Sequence, residues 1–379
     1  MNTISGMVLF AGLGLGILLG GHYLLYFSLI KFFSINQPSA KTTLLLILLF
    51  LALSFIASSI IIHFNHNLLF RIFYLVSASW WGIMVNLLVG IALIWLTVWL
   101  AKLVEFKVEA PMIAVVVFFL AIAVSVAGFF NAFHPRVKSI EVEMTNLPPE
   151  WQDKTIIQLS DVHLGYINRP DFLSDIVQKV NALEPDLVLI TGDLFDGMDG
   201  NLDIFIEPLN KIKAKKGIFF VTGNHEIYLG QENALSILDK TSIKILDDEL
   251  VEIDGLQVIG ISYPANGGLS SATGRSENIE NTIKLMDNFD RSKPNILMYH
   301  APTNIDQAKA AGINLQLSGH AHRGQIFAIN LINRLIYGKY GYGFYRRGDF
   351  SIYTTSGVGT WGPSMRTTGA PEIVAIKMK

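Results

Sequence analysis

The sequence predicts two fold classes in one chain: an all-α transmembrane bundle over residues 1–135, then an α/β domain over residues 136–379. Three observations carry this. Hydrophobic residues make up 51% of the 379 positions and charged ones 16%, where soluble domains carry nearer a quarter charged. The apolar excess lies before residue 131, where long uncharged runs alternate with short polar breaks. After residue 140, short β-rich runs alternate with amphipathic helical patterns, which implies a substantially parallel core sheet.

In the first half, apolar stretches run 7–30, 42–62, 72–101 and 110–130. Each meets the ~20 residues a helix needs to cross a ~30 Å hydrocarbon core. A cleaved signal peptide would account for the first stretch alone. The third is long for one span and reads either as one tilted helix or as an interfacial segment through Ser79-Trp80-Trp81 followed by a span. His22 and Asn86 lie within spans, where helix–helix hydrogen bonding is their simplest use. No acidic or basic residue stands at mid-span, which argues against an ion or proton pathway. The expected partner of this half is the bilayer of a plasma or inner membrane.

Charge bias gives a sidedness. The first and third breaks carry Lys31, Lys41, Lys102 and Lys107, whereas the second carries Arg71 alone. The positive-inside rule then puts the first and third loops in the cytoplasm and the α/β domain on the periplasmic or extracellular face. Arg136 and Lys138 pull the other way, and a fifth span would invert the result. The net charge of −2 gives no global attraction to nucleic acid, and the lack of cysteine excludes disulfides, thiolate metal sites and cysteine nucleophiles.

In the second half, five strand-like runs end in chemically loaded loops. Residues 155–159 lead to Asp161 and His163, 186–191 to Asp193, and 217–222 to Asn224, His225 and Glu226. Residues 295–299 lead to His300, and 315–317 to His320 and His322. Helical patterns fall near 170–183, 202–213, 231–239, 277–289 and 303–311. Open α/β sheets bind ligands beyond the carboxyl ends of their strands, so these distant residues can converge. Asp161, His163, Asp193, Asn224, His225, His300, His320 and His322 form a mixed oxygen and imidazole set, suited to Mn, Fe or Zn rather than Ca or Mg. The set exceeds one ion's needs and suits two divalent ions, with Asp193 as the bridge because a carboxylate offers two oxygens.

Asp161-Val162-His163, Gly192-Asp193, Gly223-Asn224-His225-Glu226, His300 and Gly319-His320-Ala321-His322 resemble, in this order, the calcineurin-like metallophosphoesterases. The resemblance spans roughly residues 153 to 375 and implies a sandwich of central β-sheets flanked by helices. It also implies that one metal takes Asp161, His163 and His322, and the other Asn224, His300 and His320, with Asp193 shared. His225 is then a catalytic acid or electrostatic helper near the leaving group, not a ligand. A hydroxide held between two cations is nucleophilic at neutral pH and attacks phosphorus in line. The stretch from Ser356 through Arg366 to Ile373 looks like that of a membrane-associated bacterial subgroup, and Arg323 stands where glycine often follows the last motif.

Around this set, Asp196 is a candidate to orient a ligand and Glu226 to orient His225. Arg169, Arg323, Tyr342 and Arg366 are candidate substrate contacts, since arginine pairs well with phosphate oxygens. The expected activity is hydrolysis of a phosphomonoester or phosphodiester at or near the membrane, including lipid-linked or envelope substrates. Two alternatives stand: a tethered phosphodiesterase for soluble nucleotides, or a bundle-centred membrane protein regulated by the second domain.

Overall fold

The computed structural model describes residues 3–65, 67–197, 200–264, 279–286 and 288–379. The chain forms two compact units. The first contains four helices, α1 (Thr3–Phe32), α2 (Pro38–Phe64), α3 (Leu68–Leu103) and α4 (Ala110–Ala132). Each is long and apolar enough to cross a membrane. The long third stretch is one continuous helix of 36 residues. At 1.5 Å per residue that is about 54 Å, so its ends reach past a ~30 Å hydrocarbon core.

Leu25, Leu48, Leu87 and Ile91 meet in the bundle interior, while Leu46, Phe50, Val116 and Phe119 face outward. An apolar exterior suits lipid, not water. His22, Ser28, Asn86 and Ser125 are buried and paired, as polar groups in hydrocarbon require. His22 Nδ1–H donates to the Leu18 carbonyl (2.8 Å), which leaves Nε2 to accept from Trp80 Nε1–H (3.0 Å). Asn86 Nδ2–H donates to Ser125 Oγ on α4 (2.9 Å) and reaches Met365 Sδ (3.4 Å). Met365 belongs to Gly362–Thr367, which with Ile326–Ala328 completes this unit. Arg366 N–H donates to the Gly128 carbonyl there (2.9 Å).

The second unit is a four-layer α/β/β/α sandwich. One six-stranded sheet has the order β1-β12-β2-β3-β4-β5 and the other β10-β11-β9-β8-β7-β6. The strands are β1 (Arg136–Val142), β2 (Thr155–Leu159), β3 (Leu187–Thr191), β4 (Ile218–Val221), β5 (Lys244–Ile245), β6 (Glu249–Ile253), β7 (Leu256–Gly260), β8 (Asn295–Met298), β9 (Leu315–Ser318), β10 (Gly343–Arg347), β11 (Phe350–Thr354) and β12 (Glu372–Met378). The helices are α5 (Pro170–Asn181), α6 (Ile206–Leu209), α7 (Asn224–Leu229), α8 (Gln231–Leu238), α9 (Ile279–Lys284), α10 (Ile305–Ala311) and α11 (Phe327–Tyr337). The expected helix over 277–289 falls partly outside the described residues, and α9 is its described part.

Strand periodicity explains the layers. Alternate residues point to opposite faces. In β3, Val188 and Ile190 join the core under α5 and α8, while Leu187 and Leu189 join the core between the sheets. In β8, Ile296 and Met298 face the sheet interface, and Leu297 faces α9 and α10. Every central strand is therefore buried on both faces, as its unbroken apolar run implies. The sheets are mixed, not simply parallel: β12 runs antiparallel to β2, β6 to β7, and β10 to β11. The parallel set β2-β3-β4 and the parallel set β7-β8-β9-β11 bring their carboxyl ends to the loaded loops.

Candidate metal centre

The five loops come from both sheets, and their side chains meet in one buried cluster. Asp161, His163 and His322 form one group of donors, and Asp193, His300 and His320 a second. His163 Nε2 and His322 Nε2 stand 3.0 Å apart, and His322 Nε2 lies 3.1 Å from Asp161 Oδ1. In the second group, His300 Nε2 lies 3.0 Å from Asp193 Oδ2, and His320 Nδ1 lies 2.8 Å from Asn224 Oδ1. Asp193 Oδ2 is also 4.0 Å from His163 Nε2, so this carboxylate faces both groups.

The donor set fits divalent cations. Neighbouring donors around an ion at ~2.1 Å stand about 3 Å apart, which is the spacing of these nitrogens and oxygens. His163 Nδ1 is buried without a hydrogen bond among the described residues, and His300 Nε2 faces the Asp193 carboxylate. Two imidazole nitrogens facing each other at 3.0 Å are better satisfied by a shared cation than by each other.

The backbone is shaped for this convergence. Asp161 (φ 54°), His163 (50°), Asp193 (50°), His320 (64°) and His322 (48°) all adopt the left-handed region. Each such residue costs of the order of 1 kcal/mol or more and persists only where neighbours over-determine it. The neighbours here are backbone latches. Asp161 N–H donates to the Gly192 carbonyl (3.0 Å), His163 N–H to that of Asp193 (3.1 Å), and Gly359 N–H to that of Asp161 (2.7 Å). A Cβ on Gly319 would stand 2.2 Å from Asp161 Oδ2, so the glycine before His320 is a condition of the two sheets' loops approaching.

Supporting side chains fix the orientation. His300 Nδ1–H donates to the Thr191 carbonyl (2.7 Å), which turns Nε2 toward Asp193. Asp196 Oδ1 lies 3.5 Å from His163 Nδ1, and its carbonyl accepts from His225 Nδ1–H (2.8 Å). Glu226 does not orient His225. Its carboxylate accepts from the N–H groups of Asp193 (3.0 Å), Gly223 (2.7 Å) and Phe195 (3.0 Å), clamping two metal loops together.

Electrostatics follow from burial and charge. Burial disfavours the charged form of His300, but the carboxylates of Asp193 and Asp161 prevail and raise its pKa to about 9. Burial and the neighbouring His300 charge push His320 down to about 3. Burial and the nearby Asp193 charge raise Glu226 to about 7. Burial resists the charging of Asp193 too, yet the histidines hold it well below the usual carboxylate range. Burial likewise opposes the charging of His225, and Asp193 and Asp196 outweigh it to raise its pKa.

The remaining sequence candidates are scattered. Arg169 lines a small hollow with Tyr166, Asn201 and Phe205. The Arg323 guanidinium stacks 4.4 Å from the centre of the Tyr342 ring, and both line a cavity of about 370 Å³. Arg366 is buried and belongs to the helical unit. Three aromatic neighbours of the centre were not singled out from sequence. Tyr263 packs on His300 and His320 (5.7 and 5.8 Å between ring centres), Tyr228 on His225 (5.3 Å) and Tyr337 on His320 (5.9 Å). Tyr263 lies just beyond β7, and reading 256–260 as a strand would have pointed to it.

The calcineurin-like phosphoesterase family pattern matches residues 154–324. An uncharacterized metallophosphoesterase of Aquifex aeolicus is 31% identical over 276 residues, covering 69% of this chain and 98% of the relative. One from Helicobacter pylori is 36% identical, covering 66% of each chain. A Bos taurus protein named transmembrane protein with metallophosphoesterase domain is 32% identical, covering 70% of this chain and 62% of that one. The matched stretch thus spans just under two thirds of the Helicobacter and Bos taurus proteins. The chain belongs to the calcineurin-like metallophosphoesterase family, and it is a member with four membrane-length helices.

Proposed function

We propose that the chain is a dinuclear metal-dependent phosphohydrolase acting at a membrane surface. The supporting observation is the position of Asp193, which faces both donor groups. Asp161, His163 and His322 would hold one divalent ion, Asn224, His300 and His320 the other, and Asp193 both. Two Mn, Fe or Zn ions supply Lewis acidity, which lowers the pKa of water and offsets the charge that builds on phosphate oxygens.

The chain's own residues do the rest. Glu226 and the backbone latches hold the loops, so the donors need no reorganisation. His225 has its Nδ1–H committed to the Asp196 carbonyl. Nε2 is then the nitrogen able to pass a proton to a leaving-group oxygen, and the carboxylates beside it favour its protonated form. We assign the substrate to phosphodiesters or monoesters of membrane lipids or envelope material, on the periplasmic or extracellular face of the inner membrane. The four helices support this, because a tether raises the local concentration of surface-bound substrates.

The test uses full-length protein loaded with Mn²⁺ and a generic aryl phosphodiester. Turnover is expected, with loss in Asp193→Asn and on chelation by EDTA, and recovery on adding metal back. Undiminished turnover by Asp193→Asn would overturn the assignment.

A further inference from the structure

Helix α11 begins a few residues after His322 and is amphipathic in the reverse sense. Phe327, Leu331, Ile332, Leu335 and Ile336 occupy one arc of its helical wheel and are exposed at 52, 51, 55, 86 and 47%. Asn330, Asn333, Arg334 and Tyr337 occupy the other. The polar arc faces the domain. Asn333 is buried, Tyr337 lies against His320, and a Cβ on Gly324 would stand 2.2 Å from Asn330 Cα. A helix on a water-facing surface hides its apolar stripe and shows its polar one. This helix does the opposite, and no described residue covers the stripe.

Two further features identify what covers it. The start of the helix, within Ile326–Ala328, belongs to the unit of four membrane-length helices, where Phe327 N–H donates to Thr367 Oγ1 (3.0 Å). On the polar side, Arg323, Arg334 and Lys339 line the cavity of about 370 Å³ together with Asn330 and Asn333, and its described lining contains no carboxylate. A lipid–water interface offers both complements at once: acyl chains for the apolar arc and anionic phosphates for the basic cavity.

We propose that α11 lies in the lipid–water interface and presents the headgroup phosphate of a bilayer phospholipid to the basic cavity lined by Arg323, Arg334 and Lys339. Insertion of the helix is independent of the activity; presentation of a lipid substrate rests on the phosphohydrolase reading above.

The chain has no cysteine, so single-cysteine labelling is clean. Full-length Leu335→Cys and, as control, Lys309→Cys on the exposed side of α10 carry a polarity-sensitive fluorophore in nanodiscs of phosphatidylglycerol and phosphatidylethanolamine. The Leu335→Cys probe is expected to shift to shorter wavelength, to be quenched by nitroxide on the acyl chains, and to be shielded from aqueous iodide. The control behaves in the opposite way. Iodide quenching at Leu335→Cys equal to the control would overturn insertion. In a second arm, Leu331→Glu with Leu335→Glu lowers turnover of nanodisc phospholipid by about tenfold or more and leaves a soluble aryl phosphodiester within about twofold. Equal effects on both substrates would overturn presentation. Wild-type protein that cleaves the aryl ester but no phospholipid would do the same. Wild-type protein that cleaves neither would sink the phosphohydrolase reading, with insertion still decided by the fluorophore.

Discussion

His225 and Glu226 are adjacent in sequence and do unrelated work. His225 turns its Nδ1–H away toward the Asp196 carbonyl. The role of general acid proposed for it corresponds to about 10²–10⁴-fold in turnover. His225→Ala is therefore expected to lower kcat by that range for an alkyl leaving group and by much less for a nitrophenyl one, which needs no proton. Steady-state assays on the two esters measure this; equal losses would remove the acid role. Glu226 instead takes three backbone N–H groups of the metal loops. Glu226→Gln exchanges an acceptor oxygen for a donor facing another donor. Metal affinity should fall about 10–100-fold, as for other residues supporting ligands, with activity recovered at high metal. Metal titration by calorimetry gives the readout. The ligand candidates were legible in the sequence because each follows closely on the end of a strand, within the loop at its carboxyl end. The clamp was not, because nothing in Gly-Asn-His-Glu says which loop the carboxylate reaches. Tyr263 and Tyr337 were missed for a similar reason: they join the centre through packing, with no motif around them.

At the scale of elements, the site depends on two sheets keeping their spacing. Leu189 is fully buried between them, on the face of β3 opposite Ile190. Leu189→Ala should destabilise the domain by roughly 2–5 kcal/mol, read as a lowered denaturation midpoint with unchanged slope. The five strands that carry motifs were legible as unbroken apolar runs. Strands β1, β5 to β7 and β10 to β12 were not, since they end in no recognisable chemistry and several lie at sheet edges. The antiparallel pairings were illegible for a different reason: an apolar run fixes burial on both faces but not strand direction. Helix α11 has a plain 3.6-residue pattern, yet the alternation of strands and helices ends at β9, and the inverted placement of its faces is a property of the surroundings.

At the scale of the whole molecule, four membrane-length helices precede the catalytic fold. The lysine distribution in their loops predicts that the domain lies outside the cytoplasm. A reporter fused after Lys138 should be active in its periplasmic form and silent in its cytoplasmic form; the reverse pattern would invert the sidedness. The pairing of β12 has a consequence for biogenesis. This last strand lies between β1 and β2, parallel to one and antiparallel to the other. β1 follows directly on α4 and has no neighbour in its sheet until residues 372–378 have been made. The first sheet cannot close until every other strand of the domain has been synthesised. A nascent domain must therefore hold the edges of β1 and β2 apart until β12 has been made, and a chain lacking residues 372–378 should be captured by quality-control proteases in place of maturing.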